Sequence, residues 1–98
     1  MTSGDPSQFV SPGHRVIDAV KARFSRRQNG RYTDAGLVIV ADNEVIFVVT
    51  SIIRGGERIV ARLGYDGMVV SQSSSAFTSM KVTLVVPGDH MNVESLSG

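Results

Sequence analysis

Between residues 35 and 52 the chain is apolar at almost every position, "AGLVIVA" and then "EVIFVVTSI", interrupted by Asp42-Asn43. Runs this rich in β-branched residues predict two strands, and the Asp-Asn pair tolerates the backbone angles of a tight hairpin. With a two-residue loop, Val40 faces Val45 and Val38 faces Phe47 on one surface, while Ile39 faces Ile46 and Leu37 faces Val48 on the other. Both faces are therefore apolar, and each needs a cover.

A different period precedes it. Val16, Ile17, Val20 and Phe24 recur at spacings of one, three and four residues. That places them within about 100° of a helical wheel and predicts an amphipathic helix over residues 12–29. Ser11 suits the N-cap, with Pro12 at the first helical position. In "RRQNG" the arginines oppose the carbonyl end of the helix dipole, and Asn29 or Gly30 can adopt the left-handed closing conformation. After the hairpin, "ERIVARL" alternates as a half-exposed strand, "GYDG" is a turn, and "MVVSQ" is a short strand. "SSSAF" is a loop, "SMKVTLVV" a further strand, and "PGD" ends it.

The expected fold is thus mainly β, or α+β, with one N-terminal amphipathic helix packed on about five short, largely antiparallel strands. Residues 1–10, rich in Ser, Gly, Asp and Pro, form a flexible arm in which Phe9 and Val10 are able to dock on the body or on a partner. Residues 11–88 form one compact domain. Residues 89–98 form a tail that either adds a short strand or trails free. A chain of 98 residues suits one domain with a modest core, burying roughly 60–65% of its unfolded surface. One helix covers only one face of the hairpin, so the other calls for a folded-over sheet or a second subunit. A homodimer or larger assembly follows, with Val38, Ile39, Ile46, Phe47 and Val48 as its apolar contact.

Charge changes this picture only locally. Residues 1–34 carry six basic and three acidic groups, a formal +3, and residues 35–98 carry four and six, a formal −2. The basic cluster Arg23, Arg26, Arg27 and Arg31, with Tyr32 as a stacking group, gives a second reading, a nucleic-acid-binding protein using a basic helix end. Arginine is also favoured at a helix C-terminus on electrostatic grounds alone, so this reading ranks below self-association. A lipid or membrane surface bound by the apolar stripe and its bordering arginines ranks third.

Chemistry is sparse. His14 and His90 lie near opposite ends, and no serine sits in a glycine-flanked nucleophile elbow. Glu44, Glu57 and Asp66 fall at hairpin ends without spacing that would pair two as acid and base. "IIRGGERI" lacks the lysine and hydroxyl of a phosphate loop, and "RLGYDG" lacks the alternate oxygen ligands of a calcium loop. The expectation is no enzyme, no cofactor and no metal. Without cysteine there is no disulfide framework. The amino-terminal stretch lacks the basic-apolar-small order of a secretory signal, and no apolar run is long enough to span a bilayer. A cytoplasmic protein is expected, or host cytoplasm if it is viral.

Overall fold

A computed structural model describes residues 6–26, 34–51, 56–74 and 80–95. A 3-10 turn over Pro6–Phe9 precedes strands β1 (Val16–Ser25), β2 (Asp34–Ala41), β3 (Glu44–Ser51), β4 (Gly56–Gly64), β5 (Val69–Ser74), β6 (Met80–Val86) and β7 (Asp89–Ser95). All pair antiparallel in one sheet of order β4-β3-β2-β1-β7-β6-β5. The β2–β3 hairpin has the register its sequence predicts: Val40 opposite Val45, Ile39 opposite Ile46, Val38 opposite Phe47 and Leu37 opposite Val48.

The amphipathic helix expected over 12–29 is not present among the described residues, where Val16–Ser25 is strand β1. That strand carries a β-bulge. Val16 pairs with Ala41 and Asp18 with Val40, so Ile17 is the extra residue and the facing parity shifts by one. Val16 and Ala19 consequently pack on one side of the sheet and Ala22 and Phe24 on the other. The expected stripe is thereby split, with Val16 on one side, Phe24 on the other and Ile17 exposed. Val16, Ile17 and Val20 are β-branched, which tilts the balance towards the strand, and β2 offers its free hydrogen-bonding edge as partner. The closing stretch 27–30 lies outside the described residues.

Chain connectivity forces the sheet to curl. β1 to β4 form one meander and β5 to β7 a second, which returns to lie beside β1, so β4 and β5 are the two outermost strands. Only residues 65–68 join them. A link of that length reaches at most about 17 Å, whereas the outer strands of a flat seven-stranded sheet would lie roughly 29 Å apart at ~4.8 Å per strand. Bulges at Ile17 on β1 and at Val60 on β4 supply extra twist.

Curling encloses one core and leaves a second on the outside. The concave face gathers Ala22, Phe24, Val38, Val45, Phe47, Leu63, Leu84, Met91 and Val93 from six strands, with Phe24 and Phe47 meeting edge to face at 5.2 Å. The convex face of β2 and β3 buries Ile39, Ile46 and Val48 completely, and Phe9, Val10, Val16 and Ile59 pack over them. Both faces of the hairpin are thus covered by the chain itself: the folded-over sheet takes one and the N-terminal segment takes the other. Asp89–Ser95, within the stretch expected as a tail, is β7, placed between β1 and β6.

Two glycines are set by the backbone. A Cβ on Gly36 would lie 1.9 Å from the Val48 carbonyl oxygen, so no larger residue fits β2 there without moving β3. Gly88, with φ +84°, follows Pro87 in the two-residue turn between β6 and β7, the Pro-Gly arrangement of a type II turn.

Candidate functional site

The five side chains expected to make an apolar contact lie in the interior of a single chain: Val38 is 5% exposed, and Ile39, Ile46, Phe47 and Val48 are fully buried. They divide by strand parity, Val38 and Phe47 into the concave core and Ile39, Ile46 and Val48 into the convex one. None is surface available to a partner while the N-terminal segment stays in place.

Of the basic cluster, Arg23 is exposed on β1 directly across from Glu94 of β7. Arg26 is engaged. Its Nε and Nη2 donate to the two carboxylate oxygens of Asp89 at 3.2 and 3.1 Å, a fork-on-fork pair that answers its charge. Arg27, Arg31 and Tyr32 lie outside the described residues. The sequence brought these arginines together on a helix end, whereas the sheet sets Arg23 and Arg26 each beside a carboxylate of β7.

At the β2–β3 turn, polar contacts hold the N-terminal segment down. Arg62 of β4 donates to the Phe9 carbonyl at 2.9 Å and also pairs with Glu44. His14 Nδ1 lies 2.8 Å from Asp42 Oδ1, and the Asp42 amide donates to the Arg15 carbonyl at 3.0 Å. Tyr65, in the β4–β5 link, donates its hydroxyl proton to the Ala41 carbonyl, with the Glu44 carbonyl 3.3 Å away. Burial of that hydroxyl, reinforced by Asp42 and Glu44, raises its pKa above the ordinary phenol value. These contacts fasten the N-terminal segment and the β4–β5 link to the β2–β3 turn. Among the described residues no three His, Asp or Glu side chains converge as metal ligands would. No helix among them is long and apolar enough to cross a membrane.

What stands open is apolar and lies at the far side of the sheet. Val69 and Val70 on β5 are 59% and 60% exposed, and Val85 of β6, paired with Val69, is 41% exposed. Consecutive valines on a strand point to opposite faces. Val69 and Val85 therefore extend the convex face and Val70 the lip of the concave one. A second exposed apolar group lies on β1, where Ile17, pushed out at the bulge, is 64% exposed and Val20 is 41% exposed. The valines of "MVVSQ" carried a signal that the alternation alone missed: two adjacent apolar residues in an otherwise polar strand need cover on both faces.

Comparison of the chain with protein-family models, with curated proteins and with solved structures yields no match.

Proposed function

We propose that the protein is a small structural module that self-associates through apolar sheet surface. The observation that carries this reading is the pair of Val69 and Val85, 59% and 41% exposed and directly opposite each other on β5 and β6, with Val70 60% exposed on the other face of β5. Single exposed apolar residues are ordinary on any protein, whereas a contiguous group on a regular strand is a feature of contact surfaces. The contact surface differs from the one expected from sequence, because the hairpin side chains are consumed by the chain's own two cores.

Light scattering over a concentration series, with native mass spectrometry of the purified protein, tests the reading. The expected result is a mass at a multiple of 10.5 kDa that grows with concentration. A 10.5 kDa particle at every concentration would end it, and retained nucleic acid or acyl lipid would move the function to one of the other two classes.

A further inference from the structure

Between Pro6 and Val16 the chain changes its manner of attachment at one turn. On the near side, residues 6–10 carry no charge, belong to none of the seven strands, and form a 3-10 turn without a buried residue, its end closed by the Val10 amide donating to the Ser7 carbonyl at 3.2 Å. Phe9 and Val10 lie half-buried over Ile39, Ile46 and Val48. On the far side, His14 and the Arg15 carbonyl are fixed to Asp42, and β1 begins one residue later. The turn between them is Ser11–His14, with the His14 amide donating to the Ser11 carbonyl at 3.1 Å. Gly13, φ +86°, follows Pro12 there as in a type II turn. Proline holds its own φ, whereas glycine turns freely, so Gly13 is the pivot.

We propose that residues 6–10 are a strap that opens as a unit about the Ser11–His14 turn while the sheet stays folded, with Arg62 as its clasp. The Arg62 guanidinium donates from Nη2 to the Phe9 carbonyl at 2.9 Å, and its Nη1 pairs with Glu44 at the start of β3. Glu44 therefore positions the clasp. The hold on Phe9 and the seating of Phe9 and Val10 fall on adjacent residues, so they are lost together. No sheet ladder runs through residues 6–10, and swinging them away leaves every strand pairing in place. Segments with few buried apolar contacts and no ladder are the ones that open below the cost of global unfolding. What opening bares is the convex face of β2 and β3, where Ile39, Ile46 and Val48 are fully buried in the closed state. The strap is thus an autoinhibitory cover for that face, and it works within a single chain, independently of self-association.

The test is proteolysis of the full chain by an enzyme that cuts after aromatic residues, with initial rates at each bond read by mass spectrometry. A cut after Phe9 needs the strap out of its seat, whereas a cut after Phe47, fully buried in the concave core, needs the sheet unfolded. In the wild type the cut after Phe9 should proceed without urea, and its rate should climb with urea far less steeply than that after Phe47, because opening the strap exposes much less surface. Arg62→Gln should speed the cut after Phe9 about tenfold, equivalent to about 1.4 kcal/mol, as fits the loss of a hydrogen bond from a charged donor. Glu44→Gln should act in the same direction by less. Leu84→Val, in the concave core on β6, should speed the cut after Phe47 severalfold and leave that after Phe9 unchanged. Equal urea dependence at the two bonds, or equal acceleration of both by Leu84→Val, overturns the strap, since residues 6–10 would then leave only with the whole sheet. A wild-type rate after Phe9 in Arg62→Gln overturns the clasp. If a variant does not fold, the urea comparison on the wild type decides alone.

Discussion

The half of the sheet built from β2, β3 and β4 and the half built from β5, β6 and β7 share one concave core but differ on their outer face. On the first half that face is apolar, and Ile39, Ile46 and Val48 are sealed under Phe9 and Val10. On the second it is polar, with Ser71, Thr83, Asn92, Lys81 and Glu94 in cross-strand rows, Thr83 donating to Asn92 at 2.9 Å, and Lys81 4.0 Å from Glu94. Apolar side chains return only at Val69 and Val85. A half sealed on both faces can supply stability but has little apolar surface to give, whereas the half sealed on one face leaves Val69 and Val85 exposed on the other. Stability and association are accordingly expected to respond to different residues.

The largest effect belongs to the sealed half. Phe47 is fully buried against Phe24, so Phe47→Ala should destabilise by about 3–5 kcal/mol, and Phe47→Asp should unfold the chain. Urea denaturation measures the first. In the other half, Val85→Thr should leave the midpoint nearly unchanged while weakening association. If instead the Phe47→Asp protein is a folded monomer, the division between the halves is wrong and Phe47 belongs to an interface.

Next in size is the seal itself. Phe9 is partly buried over the convex cluster, so Phe9→Ala should cost about 1–2 kcal/mol, below the range for a fully buried phenylalanine. Thermal melts check this, together with binding of a fluorescent apolar dye, which should rise as Ile39, Ile46 and Val48 lose their cover. Unchanged melting and dye binding would mean that the outer face is closed by something other than residues 9 and 10.

The success of sequence reading follows the same division. The hairpin register was legible because Asp42-Asn43 fixes the loop at two residues, after which a period of two dictates every facing pair. The need for cover on both faces was legible too, since Leu37, Ile39, Ile46 and Val48 cannot share a face with Val38 and Phe47. The identity of the covers was not. The helix over 12–29 failed because Val16, Ile17, Val20 and Phe24 match a helical stripe by spacing, while in β1 the bulge at Ile17 sets Val16 and Phe24 on opposite faces and leaves Ile17 exposed, and no local signal marks an extra residue in a strand. β7 was legible only as one of two alternatives, because "HMNVES" is weakly apolar, and its place between β1 and β6 depends on long-range pairing that local pattern does not encode. The exposed valines of β5 were visible as residues, but their exposure came only with the strand order.

The smallest effect tests the joint between the halves. Tyr65 sits in the link from β4 to β5, and its hydroxyl donates to the Ala41 carbonyl at the end of β2, so it fastens the crossing to the sealed half. Tyr65→Phe should cost about 0.5–1.5 kcal/mol, the net worth of one hydrogen bond, measured by urea denaturation near neutral pH. The pH dependence carries a sign that packing alone would not produce. Burial, then Asp42 and Glu44, raise the folded phenol's pKa above its unfolded value of about 10. The neutral, proton-donating form is therefore the one the fold stabilises. That contribution is complete below pH about 10, and it is lost as pH rises through the higher folded value. The wild type should lose stability faster than Tyr65→Phe in that alkaline window, and the two should converge above it. Parallel losses across the window would mean that the ring packs in the link but its hydroxyl does not fasten it.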